Sequence, residues 1–273
     1  MRPLKIPFSK IQGCGNSFVI CEKRKGIPSN FNWGKLSQKI CNPDFGVGAD
    51  TLLVLSRGRR APYLMEVYNP DGSKAQVSGN GTRCVVRYLL DRGVKPHSTA
   101  LIETVKGLVE TEITDSKRSS FEVRVNLGRQ VREIKGMNLR IGNKIIPVVY
   151  VDIGNPHAVR LVRQFPDDWE KSGFSIEHHR LYPKRVNVEF CRVIDGKNLE
   201  VKVWERGVGR VLSSGTGASA AVLAGIYLGR LSGKVKAHMA GGSLEIEFNP
   251  DKKNLFITGP AQTVCRGVFY PDA

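Results

Sequence analysis

Ser78-Gly79-Asn80-Gly81-Thr82 and Ser214-Gly215-Thr216-Gly217-Ala218 each set a hydroxyl directly before a Gly-X-Gly turn that opens an apolar run. A Gly-rich turn entering a helix leaves backbone N–H groups without intrahelical partners at the positive end of the helix dipole, an arrangement that takes a carboxylate or phosphate. The two segments lie 136 positions apart in 273 residues, and Gly15-Asn16-Ser17-Phe18 matches Gly154-Asn155-Pro156-His157 at a spacing of 139. Two similar spacings predict a duplication whose halves face one shared site. Taken singly, these features are bland. Gly-X-Gly before a helix is most often a turn, Glu205-Arg206 reads as a solvated surface pair, and each Asn as a turn or cap residue. Cys84 and Cys191 read as core thiols, and His157 as a structural histidine. Neither serine has a His or Lys beside it in sequence, although His157 can approach through the fold.

The elements that would position these residues are mostly short strands. Alternation bounded by Gly, Pro or Asn predicts strands over 4–9, 17–22, 51–55 and 63–68, and later near 100–114, 121–126, 145–153, 186–193 and 199–204. Three more close the chain at about 234–239, 243–248 and 254–258, followed by an extended tail over 262–270. Helical spacing covers 33–41, 81–90 and 216 to about 229. Many strands with one long apolar helix per half predict an α+β protein of two pseudo-symmetric lobes, each a curled sheet around a central helix. The repeat sets the boundary near Asp115-Ser116-Lys117, giving one lobe of 1–115 with 262–273 and another of 116–261.

Composition narrows the function classes. At 41% hydrophobic and 25% charged, the chain is an ordinary globular protein. The opening Met1-Arg2-Pro3-Leu4-Lys5-Ile6-Pro7 does not resemble a secretory signal, and the apolar run from Ala218 to Leu228 is too short to span a bilayer. Six cysteines without a CxxC pair favour reduced thiols in a cytoplasmic protein. His178-His179 are adjacent and do not make a metal pair, so no metal is expected. The net charge of +17, with clusters at Lys23-Arg24-Lys25, Arg57 to Arg60 and Lys117-Arg118, lacks interleaved aromatics. It reads as a solvated basic surface that steers anionic substrates rather than a nucleic-acid interface.

The ordered set of motifs resembles the diaminopimelate epimerase family from Lys5 to the last strand. It comprises Gly13-Cys14-Gly15-Asn16-Ser17-Phe18, Phe45-Gly46-Val47-Gly48-Ala49-Asp50, Asn69-Pro70-Asp71-Gly72-Ser73 and the Ser78 turn. Then come Gly154-Asn155-Pro156-His157, Arg185-Val186-Asn187-Val188-Glu189-Phe190, and Trp204-Glu205-Arg206-Gly207-Val208-Gly209 ahead of the Ser214 turn. The resemblance implies two pseudo-symmetric lobes with an amino-acid substrate in the cleft between them, and chemistry that uses neither pyridoxal phosphate nor metal. One cysteine thiolate removes the α-proton and a second returns a proton on the opposite face, while the helix N-termini hold the α-carboxylate. It further implies that Asn69, Asn187 and Arg206 bind the distal carboxylate and Glu205 the distal ammonium group. Asn16 and Asn155 line the cleft, the backbone N–H groups of Gly79, Asn80, Gly215 and Thr216 take the proximal carboxylate, and His157 supports the site.

Two departures stand out. Both cysteine positions carry serine, Ser78 and Ser214, and Thr51 stands where the family often has Gln. A thiol ionises near pH ~8.5 and lower at a helix N-terminus, whereas a serine hydroxyl needs an adjacent base. The expected function is a cofactor-independent amino-acid epimerase or racemase of the LL- to meso-diaminopimelate type, with low or altered activity. The alternatives are a non-catalytic amino-acid-binding relative and an epimerase silenced by replacement of both thiols. A weak homodimer is expected, because Cys265-Arg266-Gly267 replaces the aromatic and acidic residues that relatives often show there.

Overall fold

The structure is a computed structural model that describes residues 3–75, 78–94, 99–116 and 121–271. It divides into two compact units, one of Met1–Val125 with Gly259–Ala273 and one of Asn126–Thr258. The first holds β1 (Ile6–Gly13), β2 (Asn16–Glu22), α1 (Trp33–Ile40), β3 (Thr51–Arg57), β4 (Tyr63–Tyr68), β5 (Lys74–Ala75), α2 (Gly79–Asp91), β6 (Thr99–Thr104) and β7 (Gly107–Asp115). Strand β8 (Glu122–Gly128) runs into the second unit. That unit continues with β9 (Glu133–Ile141), β10 (Lys144–Asp152), β11 (Pro156–Leu161), α3 (Trp169–Glu177), β12 (Asn187–Asp195) and β13 (Asn198–Glu205). It ends with β14 (Gly209–Val211), α4 (Gly215–Tyr227), β15 (Lys234–Met239), β16 (Gly242–Asn249) and β17 (Asn254–Pro260), before β18 (Gln262–Phe269) returns to the first.

The duplication is explicit in the ladders. In the first unit β18, β1, β2, β3, β4, β6 and β7 pair in that order, parallel only at β2–β3 and β4–β6, with β5 added to β4. In the second, β9, β10, β11, β12, β13, β15 and β16 repeat the order, parallel only at β11–β12 and β13–β15, with β14 added to β13. Register fixes the counterparts: Phe18 faces Thr51 in one unit as His157 faces Asn187 in the other. Likewise Leu52 faces Tyr68 as Val188 faces Trp204.

Strands β3 and β12 bury alternate residues against two different helices, as a period of two requires. In the first unit Val19, Cys21, Leu52 and Val54 pack with Trp33, Leu36 and Ile40 of α1. The alternate Leu53 lies against Gly81 of α2. In the second, Val188 and Phe190 pack with Trp169 and Ile176 of α3, and the alternate Glu189 lies against Gly217 of α4. Helix α4 carries no charged side chain, buries most of its residues, and touches β9 to β13, β15 and β16, so the sheet curls around it.

The structure departs from the sequence expectations in several elements. The stretch 100–114 is not one strand but the hairpin β6–β7, turning at Val105-Lys106. Helix α2 begins at Gly79 and α4 at Gly215, because Ser78 and Ser214 are themselves the N-caps. Strands β9, β11 and β14 and helix α3 had no clear signal. Most of β9 is exposed on both faces, which erases alternation, and α3 is short with Gly173 inside it. Among the basic clusters, Lys23 is ion-paired with Glu66, and the N–H groups of Arg59 and Arg60 donate to Glu103. Lys117-Arg118 lie outside the described residues. Arg266 does not stand as a free cation, since it pairs with Asp91 at 2.7 Å.

Asp91 ends α2 and ties it to β18 through Arg266 and Thr263, while Arg87 bridges back to it from one turn earlier at 3.0 Å. Burial pushes its carboxyl up, but the Thr263 and Arg266 hydrogen bonds and the Arg87 charge outweigh this and hold it below the usual carboxylate range. A depressed folded-state pKa stabilises above the unfolded value of about 3.9 and is lost as pH falls through the folded one. Asp91→Asn should therefore lower Tm at pH 7 by roughly 2–4 °C. The deficit should shrink below about pH 4 in thermal melts, as both forms become neutral.

Candidate active site

In the first unit the β1–β2 hairpin turns on Cys14 and Gly15, both at positive φ (56° and 81°), a two-residue turn that matches the twist of the strands. This delivers Asn16 to the start of β2, where its Nδ2 donates to Asp50 Oδ2 at 2.9 Å. The Ser17 N–H donates to the same carboxylate oxygen at 2.7 Å. Asn80, on the first turn of α2, donates from Nδ2 to Asn16 Oδ1 at 3.2 Å. Ser78 has extended backbone, and its Oγ accepts the Gly81 N–H at 3.0 Å. The Gly79 and Asn80 N–H groups, by helix geometry, have no intrahelical partner.

The second unit repeats this arrangement with different chemistry. Asn155 Nδ2 donates to Thr216 Oγ1 at 3.4 Å, and Ser214 Oγ accepts the Gly217 N–H at 3.1 Å. Counterparts therefore pair across the repeat: Asn16 with Asn155, Asn80 with Thr216, Ser78 with Ser214, Thr51 with Asn187 and Asn69 with Glu205. Both serines are half-buried N-caps, which is the common use of Ser at that position. A hydroxyl that accepts a backbone N–H at a helix head still keeps its own proton at neutral pH.

The remaining expected residues fall around these turns. Thr51 Oγ1 donates to the Asp50 carbonyl at 2.7 Å, and Asn69 Nδ2 donates to Ser73 Oγ at 2.9 Å. Asn187 is buried: its Nδ2 donates to the Pro156 carbonyl at 3.0 Å, and its Oδ1 accepts the Arg206 N–H at 2.9 Å. The exposed Arg206 guanidinium donates once, to the Lys184 carbonyl at 3.2 Å, so most of its fork remains for a carboxylate. His157 is fully buried, its Nδ1 2.8 Å from Glu189 Oε1.

Three acidic residues that the sequence did not single out hold these parts. Asp50 clamps the Asn16-Ser17 backbone. Glu177, buried at the end of α3, accepts Trp204 Nε1 at 2.8 Å and the Gly207 N–H at 2.9 Å, and so shapes the Glu205-Arg206 turn. Burial pushes its carboxyl up, but those two hydrogen bonds with the His178 and Arg185 charges carry it below the usual range. Glu189 lies inside the apolar run Val188-Glu189-Phe190-Cys191, and a carboxylate in the middle of such a strand was the available signal. Among the described residues, no group of three His, Cys, Asp or Glu side chains is arranged for a metal ion, and no helix is long and apolar enough to cross a membrane.

Gly217 is required by contact. A Cβ there would stand 2.9 Å from Glu189 Oε1 and 3.1 Å from Ser214 Cβ. Gly217→Ala should cost about 1–3 kcal/mol, read as a lower urea midpoint. Gly136→Ala, whose Cβ would meet nothing closer than 4.0 Å, should leave the midpoint near that of the parent chain.

Comparison with known proteins agrees with the motif order and the repeated architecture. The diaminopimelate epimerase family model matches residues 8–133 and 149–264. Diaminopimelate epimerases from Desulfitobacterium hafniense and Pelotomaculum thermopropionicum are each 35% identical, over 97% and 96% of this chain and 98% of either relative. A solved hydroxyproline epimerase from Agrobacterium vitis superposes with a TM-score of 0.75 at 16% identity, over 99% of this chain and 94% of that one. A phenazine biosynthesis protein of the PhzF family from Bacillus anthracis does so at 0.73 and 14%, over 98% and 99%. The two solved structures share the fold, and the sequence match over nearly the whole length goes further: this chain belongs to the diaminopimelate epimerase family.

Proposed function

We propose that this chain is a cofactor-independent amino-acid epimerase of the diaminopimelate type in which hydroxyls occupy the two acid/base positions, so that it binds its substrate but moves the α-proton slowly. The observation that carries this reading is the matched pair of caps. Ser78 and Ser214 stand at the heads of counterpart helices, each accepting the N–H three residues on. The fit of the surrounding residue types supports the substrate class. Unpartnered N–H groups at Gly79, Asn80, Gly215 and Thr216 suit the proximal carboxylate, Arg206 with Asn69 and Asn187 suits a distal carboxylate, and Glu205 suits an ammonium group. Removing an α-proton needs a base that is free of its own proton near neutral pH. A thiolate at a helix head meets that requirement and a capping serine does not.

The decisive experiment is incubation in deuterated water with LL- and meso-diaminopimelate, followed by mass spectrometry of the recovered amino acid. Little or no deuterium should enter with the parent chain. Joint Ser78→Cys and Ser214→Cys substitution should raise exchange by about 10²- to 10⁴-fold. A folded double variant that binds substrate yet exchanges nothing would refute the epimerase reading, and would leave the non-catalytic binding protein favoured by the occupied cap hydrogen bonds.

Substrate recognition is tested apart from catalysis. Arg206→Lys keeps the charge but loses the planar fork, so calorimetry should show diaminopimelate binding weakened by about tenfold. Unchanged affinity would put Arg206 outside the binding site.

A further inference from the structure

Within the second unit, four side chains outside the candidate active site form one hydrogen-bonded chain. The β15–β16 hairpin turns on Ala240-Gly241, and the register this fixes sets His238 opposite Ser243. Strand β13 runs parallel to β15 and brings Asn198 two positions before Glu200, the partner of His238. Alternation sends Val235, Ala237, Leu199, Val201, Leu244 and Ile246 into the core, and leaves His238, Asn198 and Ser243 half-buried on the other face. His238 Nδ1 lies 2.9 Å from Ser243 Oγ, and its Nε2 lies 3.2 Å from Asn198 Oδ1. Asn198 Nδ2 in turn donates to both oxygens of the exposed Asp195, at 3.0 Å each.

These contacts fix where each proton sits. Hydrogen bonds from the Lys197 N–H and from Asn198 hold the Asp195 carboxyl below the usual carboxylate range, so it is ionised and only accepts. The Asn198 amide therefore turns its NH2 to Asp195 and its carbonyl oxygen to His238. A carbonyl oxygen also only accepts, so His238 Nε2 carries the ring proton. In the neutral imidazole the free lone pair is then on Nδ1, and Ser243 Oγ must donate to it. A hydroxyl that donates to an imidazole nitrogen, with the ring held in one tautomer by a third group, is the arrangement that activates a serine as a nucleophile.

We propose that Ser243 is a second reactive centre of this protein, a nucleophilic hydroxyl that accepts an acyl group from activated carboxylic esters, with His238 as its general base. Asn198 and Asp195 hold the ring in the tautomer that makes this possible. None of the amino-acid site residues takes part, so the proposal does not depend on how that site is read. In the step, Ser243 Oγ bonds to the ester carbonyl carbon and its proton passes to His238 Nδ1. The bond from that carbon to the leaving oxygen breaks, the oxygen keeps the electron pair, and the proton on His238 returns to the leaving group or to water. Nucleophile and base together commit the site to one covalent transfer onto Ser243.

The test treats the full chain with p-nitrophenyl acetate at about pH 8, where an ordinary imidazole is neutral. Samples are quenched in acid over time, and acetylated serines are located by peptide mass spectrometry. Ser175 and Ser232, whose hydroxyls donate to the Lys171 and Lys234 carbonyls, are the reference hydroxyls. Ser243 should acetylate about 10²-fold faster than either. His238→Gln keeps an acceptor for the hydroxyl but cannot take its proton, and should bring Ser243 down to the reference rate. Asn198→Ala should slow Ser243 by about tenfold while the references keep their rates. A Ser243 rate equal to the references in the parent chain overturns the proposal, as does a folded His238→Gln variant that matches the parent. An unchanged Ser243 rate in Asn198→Ala overturns the tautomer argument. If neither variant folds, the comparison within the parent chain decides alone.

Discussion

A helix that is apolar on every side has to be surrounded, and that constraint organises the second unit. Helix α4 reads Gly-Thr-Gly-Ala-Ser-Ala-Ala-Val-Leu-Ala-Gly-Ile-Tyr, with nothing charged to turn toward water. Burying such a segment stabilises by about 25 cal/mol per Å² of apolar surface, and only a sheet that wraps around the helix removes water from all of it. The wrapping consumes the flanks of the helix. Its first turn is left as the part whose backbone N–H groups need partners from elsewhere. The first unit reaches the same outcome with a less apolar helix, α2, which buries Cys84, Val85, Val86, Tyr88 and Leu89 together with Arg83.

At both helix heads, one atom is asked to do two things. Ser78 Oγ and Ser214 Oγ satisfy the N–H groups of Gly81 and Gly217, a cap worth about 0.5–2 kcal/mol. The same atoms are those proposed above to stand at the acid/base positions. A hydroxyl is the better cap and the poorer acid, and a thiol reverses both properties. On the reading proposed above, the serine form gains helix stability at the point where it loses chemistry.

The duplication preserves geometry more faithfully than charge. The order of strands and the two parallel pairings repeat, yet the interior beneath each serine turn differs. Under α4 lies the His157–Glu189 pair, and within α2 lies Arg83, fully buried, with Nε donating to the Pro260 carbonyl at 3.3 Å and both terminal nitrogens without a partner. Burial pushes the Arg83 guanidinium down and the Glu189 carboxyl up, so the two interiors differ in chemistry where the backbones agree.

Much of this was legible in the sequence. The Ser-Gly-X-Gly turns, their near-constant spacing and the Gly-Asn segments revealed the repeat, and composition with strand alternation gave the α+β class, because turn chemistry and hydrophobic period are local properties. The elements that escaped, β9, α3 and β14, are those whose residues lack a clean period, being exposed on both faces or too short. What only the tertiary structure decided is which polar side chains are buried and against what. Glu189 in an apolar strand, Glu177 at a helix end and Asp50 in a loop carry no local mark of their partners, since His157, Trp204 and Asn16 stand 32, 27 and 34 residues away. Strand register and helix placement bring such groups together, and a buried carboxylate persists only where that assembly supplies a donor.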